Sequence, residues 1–458
     1  MGSSWLIECI RRHFPSGAAP DPVRFRESLA GRLADLRGLN GIRHQLASLV
    51  AVAVAGTAAG HGGPLAIAQA AAGWDQEVLA AHGTRRNPVT RLHERPSAST
   101  LGRLPALLDA DELEAGLPAW LAPAALDPQL ADRIAARAAG AKAGKAGRKR
   151  RRRPPAGAAL RQVRADGWCR AAPGHPWLDP AVTGDPAHRP AVPAVAVDGK
   201  ERKLAKAGGN KKVHLLGAIT HLTGLVIGQD KVARAGKASE TTHFKPLLAP
   251  LDLRHVAITA DAMQTTRENA RWLTEDKHAQ YLLPVLGNQP GLYAALDALD
   301  WENTPVAAAT SEISRGRIET RTLRVLPAPA QPGFPAARQA ILLERYVTTR
   351  KNGRWIMRNC EAVLYVTSLD ASQAGPADLL ALIRGHWQVE HLHWLRDTVW
   401  NEDKSTIRTG NAPQVMSALT NLVITLFRLQ GVTKITAETR RNAQNPSLPL
   451  QLLALRPG

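Results

Sequence analysis

The chain has 458 residues, of which 44% are hydrophobic and 21% charged, so it can bury a sizeable core and is not disordered as a whole. Its 59 Lys and Arg exceed its 39 Asp and Glu, and the resulting formal charge of +20 indicates a polyanionic partner. The cysteines, Cys9, Cys169 and Cys360, are odd in number and far apart, which excludes a disulfide framework and a zinc module built on paired cysteines.

The sequence indicates neither a membrane span nor a secretory signal. Its longest apolar run, residues 46–59, is shorter than the ~20 residues that a membrane-spanning helix needs. The N-terminus lacks the long apolar core of a signal peptide. We therefore expect a soluble protein of a reducing compartment, with no membrane partner.

Residues 1–122 are predicted to form an all-helical N-terminal domain. Residues 96–100 offer capping groups before a Leu-periodic run, and no strand-type alternation is present. Further upstream, leucines recur at helical spacing at Leu29, Leu33, Leu36 and Leu39. A packing or oligomerisation role and a DNA-binding role are both compatible with this domain.

Residues 123–190 are rich in Ala, Pro, Gly and Arg, which predicts a basic linker. Twelve Lys and Arg but no acid occur between Arg133 and Arg164, and residues 148–153 are all basic. Such a stretch repels itself and is typical of a flexible arm that contacts phosphates. The predicted DNA contacts in it are Arg148, Arg150, Arg151 and Arg152. The alternatives are a linker that only improves solubility and, in a eukaryotic host, a targeting signal.

From residue 192 onward the pattern becomes that of an α/β core. Two short, nearly continuous apolar runs end in Asp198 and Asp261, as strands buried on both faces would. Residues 213–220 and 225–232 are predicted to form a hairpin, and residues 281–286 a further strand. Helices are expected at 241–248 and 265–278. Together these elements predict a mixed sheet within a core that extends over 191–430.

The region 291–370 has a different residue pattern and is predicted to be a β-rich insertion into this core. Residues 318–325 alternate, and residues 351–354 resemble a hairpin turn. Helical periodicity returns over 377–400 and 413–429. Residues 431–458 are predicted to form a C-terminal tail with little structure from residue 442.

Three carboxylates stand out as candidate catalytic groups. Asp198 and Asp261 follow buried strands, although a turn at the first and a helix cap at the second are alternatives. Glu390 shares a predicted helix face with Ile383, Trp387 and Trp394. A carboxylate on such an apolar face is costly unless it is paired, for instance with Arg384, or binds a metal.

Carboxylate oxygens suit Mg²⁺ or Mn²⁺, and two such ions can activate a water or a 3′-hydroxyl for in-line phosphoryl transfer. A zinc site made from His386, Glu390, His391 and His393 is the competing interpretation. These side chains do not share one helix face, however, and no HExxH motif is present.

Eight short motifs follow one another in an order that resembles the bacterial insertion-sequence DDE transposases of the H-repeat-associated (ISAs-type) family. They occupy residues 197–200, 237–241, 258–264, 287–289, 315–321, 384–390, 392–395 and 402–403. Residues 41–46 also resemble the helical domain associated with that family. The resemblance covers roughly residues 190–430.

The resemblance implies an RNase H-like catalytic core in which Asp198, Asp261 and Glu390 hold Mg²⁺ or Mn²⁺. It implies an enzyme that cuts the ends of an element and joins the freed 3′-hydroxyl to target DNA. The implied partners are the double-stranded terminal repeats and target DNA, bound by a homodimer in the bacterial cytoplasm, at the nucleoid. The implied DNA contacts, for which local hydrogen bonding is the alternative, are Lys200, Gln264, Asn288, Gln289, Arg317, Arg321, Arg384 and His386.

The chain departs from the family pattern at several positions. Leu286 stands where the family usually has Lys, and His391 where it usually has Asn after the catalytic Glu. Asp397 occupies the position of the Lys in a related, broader signature, and the basic linker is an addition. Two alternatives therefore stay open: an RNase H-like nuclease without strand transfer, and a decayed transposase that only binds DNA.

Overall fold

The structure, a computed structural model, describes residues 44–108, 110, 113, 125–126, 128–143, 183–207, 211–232, 237–314, 316–351, 354–405, 407 and 410–452. These residues belong to two compact units, each assembled from separate stretches of chain. The first unit falls within Met1–Gly144, Asp198–Asp252 and Gln388–Gly458, and the second within Lys145–Val197 and Leu253–Trp387.

The elements are labelled in chain order. The helices are α1 (Leu46–Ala58), α2 (Pro64–Ala71), α3 (Gln76–Ala81), α4 (Ala98–Leu107), α5 (Pro128–Ala143), α6 (Lys237–Leu248), α7 (Arg267–Arg271), α8 (Pro290–Asp297), α9 (Pro376–Gly385), α10 (Trp387–Val399), α11 (Ala412–Leu429), α12 (Ile435–Gln444) and α13 (Leu448–Leu452). The strands are β1 (Ala194–Ala207), β2 (Lys211–Thr220), β3 (Val226–Val232), β4 (Ala257–Ala260), β5 (Gln280–Val285), β6 (Ala308–Ser314), β7 (Arg317–Pro327), β8 (Gln339–Lys351) and β9 (Arg354–Thr367).

The helical prediction for the N-terminal region is confirmed where the structure describes it. The hydroxyl of Ser97 caps α4 by accepting from the Thr100 amide at 3.1 Å, as the sequence before the Leu-periodic run predicted. The carboxylate of Asp75 caps α3 in the same way, from the Val78 amide at 2.8 Å. The leucines from Leu29 to Leu39 lie outside the described residues.

Helix α11 is almost entirely buried in the first unit, and its polar residues, such as Ser417, Asn421 and Arg428, are buried with its apolar ones. Helix α1, which is more apolar, packs against it. The predicted hairpin is confirmed: β2 and β3 pair antiparallel from His214 opposite Val232 to Ile219 opposite Val226. Beside it, the later residues of β1 adjoin β2.

Two predictions for segments of low structure are wrong. Part of the predicted linker forms helix α5, which is anchored where Arg137 donates to the carbonyl of Leu429 at 2.6 Å. The predicted tail forms α12 and α13, which bury Ile435, Leu450 and Leu452. The packing of these segments depends on partners distant in sequence, as the contact between Arg137 and Leu429 shows.

The second unit contains a mixed, mostly antiparallel sheet with the strand order β1-β4-β5-β9-β8-β7-β6. Strands β1, β4 and β5 run parallel, and Val197 of β1 is opposite Ala260 of β4. The remaining pairs are antiparallel. Helix α9 covers this sheet with Leu379 and Leu382. The mixed sheet and the β-rich region are thus confirmed, although the predicted insertion begins with helix α8 rather than a strand.

None of the described helices combines the length and the apolar character that spanning a bilayer requires.

The turn between β2 and β3 depends on a glycine. Gly224 has a φ of +63°, and a Cβ atom there would overlap Nη1 of Arg428. That guanidinium is buried on α11 and donates to the Gly224 carbonyl at 2.5 Å. Burial lowers the pKa of Arg428 to about 10, so the side chain remains charged at neutral pH. A buried charge of this kind needs hydrogen-bond acceptors such as the Gly224 carbonyl.

We predict that Gly224→Ala lowers the free energy of unfolding by about 3 kcal/mol or more, because it adds left-handed strain and displaces a buried charge. Gly83→Ala is the matched control, since Gly83 has a φ of +68° but no atom within 4 Å of the place that an added methyl group would occupy. It should cost about 1 kcal/mol, the strain alone. Urea denaturation measures both, and equal losses would contradict the role given to Arg428.

Candidate active site

Asp198 lies within β1 rather than at its end, because the strand continues through the Asp-Gly pair to Ala207. The predicted strand end, and the alternative of a turn there, are therefore wrong. The Gly199 amide donates to Asp198 Oδ1 at 2.8 Å, and Oδ2 lies 3.6 Å from Nδ1 of His393. Burial lowers the pKa of His393 to about 3, so a neutral imidazole faces Asp198 at pH 7.

Lys200 follows Asp198 by two residues, so its side chain leaves the same face of β1. Its ammonium donates to the two oxygens of Asp397 at 2.8 and 2.7 Å and lies 3.7 Å from Oδ1 of Asp403. Its side chain is only 7% exposed. Because Asp397 belongs to α10, this ion pair joins the strand of Asp198 to the helix of Glu390.

A second buried ion pair holds the segment after α10. Arg396 donates to both oxygens of Glu402 at 2.6 Å, and Ser417 of α11 donates to the same carboxylate at 2.5 Å. Arg396 also donates to Gln229 of β3 at 3.2 Å. The acidic motif at 402–403 therefore neutralises the buried cations Arg396 and Lys200.

Glu390 is exposed on α10, whose buried face is formed by Val389, Leu392, Leu395 and Arg396. The prediction of a buried apolar stripe around Glu390 is wrong, since Trp387 and Trp394 are 40% and 53% exposed. The predicted single helix also divides at His386 into α9 and α10. The cost of a buried carboxylate therefore gives no argument for a metal at Glu390, because its side chain is exposed.

Asp261 is an exposed residue that directly follows β4 and precedes a 3₁₀ turn at Ala262–Gln264. Its side chain makes no capping hydrogen bond to that turn, so the alternative of a structural cap is wrong. The Thr266 hydroxyl caps α7 instead, by accepting from the Asn269 amide at 3.1 Å.

Asn288 holds the turn that follows Asp261. Its side-chain amide donates to the carbonyl of Ala262 at 2.6 Å and to that of Thr265 at 3.3 Å. Gln264, within the turn, is 2% exposed, and its Oε1 accepts from Asn269 at 3.3 Å. Gln289 is partly buried at the start of α8. These contacts stabilise the turn, and DNA contact by the three side chains stays a prediction.

His386 lies next to Asp261 in the second unit. Its Nδ1 is 3.0 Å from the hydroxyl of Thr259, which precedes Asp261 by two residues on β4. Burial lowers the pKa of His386, while the negative charge of Asp261 partly opposes that change. The imidazole is therefore a neutral hydrogen-bonding group rather than a cation at pH 7.

The predicted DNA contacts Arg317 and Arg321 belong to a charged network on the antiparallel strands. Glu319 accepts from Arg317 at 2.7 Å, from Arg345 at 2.6 Å and from Arg321 at a short distance. Burial raises the pKa of Glu319, but these guanidinium groups lower it further than burial raises it, so the net shift is downward. Arg321 is buried, and its charge is compensated by this carboxylate and by that of Glu312 at 3.4 Å.

The same network reaches the start of α10. The guanidinium carbons of Arg321 and Arg345 lie 4.9 and 4.5 Å from the ring centre of Trp387, as in cation–π contacts. Arg384 binds Glu312 at 2.7 Å and also donates to the carbonyl of Pro186. The predicted contacts Arg148, Arg150, Arg151 and Arg152 lie outside the described residues.

The sequence alone did not reveal the structural roles of several residues near the candidate acids. Asn288 was predicted only as a DNA contact, Asp397 was noted only as a departure from a family signature, and Glu319 was one member of an alternating strand. Nothing in the sequence pattern marked His214 as a candidate functional residue. Glu240 lies in the motif at 237–241, which was quoted for the resemblance without a role.

The oxygen donors of Asp198, Asp261 and Glu390 match the chemistry that Mg²⁺ and Mn²⁺ prefer. Asp198 and Glu390 belong to the first unit, and Asp261 to the second. Within the described parts of the chain, no three His, Cys, Asp or Glu side chains are grouped so as to hold a metal ion. A metal shared by the three acids is therefore a proposal.

Comparison with known proteins identifies two family models along the chain. The model described as "Transposase DDE domain" matches residues 190–426, just over half of the chain. A second, described as "DDE_Tnp_1-associated", matches residues 29–121. The first match contains all three candidate acids, and the second corresponds to most of the predicted helical domain.

Relatives in Escherichia coli carry related names. The chain is 33% identical over 251 residues to "Putative transposase YncI" of the O157:H7 strain, a match that spans 51% of this chain and 61% of that protein. It is 29% identical over 283 residues to "H repeat-associated putative transposase YhhI" of strain K12, spanning 57% of this chain and 70% of that protein.

We predict that Glu319→Gln lowers the free energy of unfolding by roughly 3 kcal/mol, because it leaves the buried Arg321 with only the more exposed Glu312, at 3.4 Å, as an anion. Glu361→Gln is the matched control, since Glu361 also accepts from Arg345, at 2.9 Å, but is 47% exposed. Its loss should stay within about 1 kcal/mol. Urea denaturation followed by circular dichroism measures both, and a control as damaging as Glu319→Gln would refute the buried-charge explanation.

Proposed function

Because the chain belongs to the transposase DDE-domain family, we propose that it cuts the ends of a mobile DNA element and joins the freed 3′-hydroxyl to target DNA. The observation that carries this proposal is the register of the parallel strands β1 and β4. Val197 is opposite Ala260, and each is followed in the chain by a candidate acid, Asp198 within β1 and Asp261 directly after β4. Parallel strands bring the residues after a paired position toward the same level of a sheet.

The parallel strands β1, β4 and β5, the antiparallel hairpin β2–β3 and the surrounding helices support an RNase H-like core. In this core the third acid, Glu390, lies on α10, which the Lys200–Asp397 pair attaches to β1. The long antiparallel strands β6 to β9 then correspond to the β-rich insertion. These strands lie between Asp261 and Glu390 and account for the long spacing of 390 − 261 = 129 positions between the two acids.

We propose that Asp198, Asp261 and Glu390 together hold Mg²⁺ or Mn²⁺. When bound, such ions activate a water or a 3′-hydroxyl and stabilise charge on the leaving oxygen. The residues around the acids orient them. Lys200 and Asp397 fix the strand of Asp198 to α10, and Asn288 fixes the turn after Asp261.

The DNA substrate is attracted by the charge of the chain, +20 overall. The basic residues at 148–153 supply a sequence-independent contact with phosphates, and binding should therefore weaken steeply as salt increases. Because two element ends must be joined to one target, we propose that a homodimer acts on DNA, in the bacterial cytoplasm at the nucleoid.

A second candidate function is DNA binding without cleavage, by a decayed transposase. It is favoured by Leu286, an apolar side chain that is 47% exposed before the motif at 287–289, where the family usually has Lys. A lysine there would add a cation beside the turn of Asp261, and this chain lacks it. A nuclease without strand transfer is the intermediate case.

We predict that Asp198→Asn, Asp261→Asn and Glu390→Gln each lower the cleavage rate roughly 1,000-fold or more, because each removes a ligand charge from one catalytic unit. The substrate is a labelled duplex that carries the element end, incubated with Mg²⁺, Mn²⁺ or EDTA. DNA affinity in EDTA should change less than about threefold, since the acids do not attract phosphate.

The matched control is Asp297→Asn, which removes an exposed carboxylate on α8 and should cleave like the wild type. Cleavage by the three acid variants at the control's rate would refute the assignment of the acids. Wild-type binding without any cut would favour the DNA-binding alternative, and cuts without joined products would favour the nuclease.

A further inference from the structure

We propose that Glu240 and His214 are positioning residues that hold the carboxylate of Asp198 in place for metal binding. They form a buried pair directly against the Gly199 peptide, which in turn binds Asp198. This inference rests on the proposed function, because it gives the pair a role at the same metal site. It also assigns a role to the motif at 237–241.

The pair is buried and close. Nε2 of His214, on β2, lies 2.7 Å from Oε1 of Glu240, in the first turn of α6. The two side chains are only 10% and 9% exposed. A carboxylate enclosed in this way costs stability relative to an apolar side chain of the same size, so stability does not explain why it is present.

The pair leaves no room for a side chain at position 199. A Cβ atom added to Gly199 would lie 2.5 Å from Nε2 of His214 and 2.6 Å from Oε2 of Glu240, distances below any normal carbon contact. Gly199 is therefore required because the pair approaches its backbone, and not because the chain turns there.

The Gly199 peptide connects the pair to the candidate metal ligand. Its N–H donates to Asp198 Oδ1 at 2.8 Å, so a displacement of this peptide moves the acceptor with it. Groups that do not bind the metal themselves but hold one of its ligands in place orient that ligand, and their removal typically weakens metal binding about 10- to 100-fold. The order of contacts is Glu240, His214, Gly199 and Asp198.

The structure offers a matched control on neighbouring elements. His243 lies one helical turn after Glu240 on α6, and its Nδ1 is 2.7 Å from Oδ2 of Asp230 on β3. This second imidazole–carboxylate pair is more exposed, at 20% and 33%, and neither residue is among the nearest neighbours of Gly199. Its removal tests the general effect of losing such a pair.

The experiment compares the wild type with Glu240→Ala, Glu240→Gln and the control Asp230→Ala. Mn²⁺ binding to the full-length protein without DNA is measured by isothermal titration calorimetry, and the Mg²⁺ concentration for half-maximal cleavage is measured separately. Glu240→Ala should raise the Kd for Mn²⁺ and the Mg²⁺ requirement about 10- to 100-fold. Glu240→Gln keeps the shape of the side chain and should recover most of the loss, whereas Asp230→Ala should match the wild type.

A double variant tests the contact itself. Gly199→Ala should weaken Mn²⁺ binding as Glu240→Ala does, because its methyl group displaces the pair. Removing the Glu240 side chain leaves space into which the His214 imidazole can move away from that methyl group. Gly199→Ala combined with Glu240→Ala should therefore be no worse than either change alone. Additive losses would show that the two positions act independently and would overturn the inference.

The outcomes separate this inference from the proposed function. If the wild type cleaves DNA but Glu240→Ala binds Mn²⁺ as tightly as Asp230→Ala does, the positioning role is overturned and the function stands. If the wild type does not cleave DNA but Glu240→Ala selectively weakens Mn²⁺ binding, the positioning role stands and the enzymatic proposal fails. Thermal unfolding of each variant shows whether it is folded, and Gly199→Ala, for which the same loss of Mn²⁺ affinity is expected, carries the test if Glu240→Ala is not.

Discussion

The ion pair between Lys200 and Asp397 is the interaction on which the candidate active site depends. It joins β1 to α10 within the first unit, and these elements carry Asp198 and Glu390. Because the ammonium is almost entirely buried, loss of Asp397 would leave it with only Asp403, at 3.7 Å, a change that costs up to about 3–5 kcal/mol. Asp397 occupies the position where the broader transposase signature has Lys. In this chain the helix carries the carboxylate of the ion pair, Asp397, and β1 carries its cation, Lys200.

Local patterns in the sequence predicted much of the fold. Continuous apolar runs identified the strands before Asp198 and Asp261, and paired β-rich runs identified the hairpin β2–β3, because strand burial leaves a signal within a few residues. The same patterns failed at Glu390. Two tryptophans at helical spacing indicated a buried face, but both are largely exposed. Trp387 lies against the guanidinium groups of Arg321 and Arg345 from distant strands rather than in an apolar core.

The surroundings of the acids could not be predicted, since they depend on contacts between distant residues. Lys200 and Asp397 are 197 positions apart, and His214 reaches Glu240 from another element. Sequence motifs indicated that polar side chains such as Asn288 and Arg321 matter, and DNA contact was the simplest role for them. The structure shows that they also bind their own chain, Asn288 at the turn after Asp261 and Arg321 in the network of Glu319.

Asp198, Asp261 and Glu390 are proposed to bind the same divalent metal site. The most direct test is a crystal structure of the protein with Mn²⁺ and a duplex that carries the element end, in which anomalous scattering locates the metal. We expect a Mn²⁺ peak within about 2.0–2.2 Å of oxygen atoms of all three acids, the distance typical of small divalent cations with oxygen ligands. If two ions are bound, each acid should ligate at least one of them, and one acid should bridge the two. A peak bound by other side chains, with these three acids apart from it, would contradict the claim.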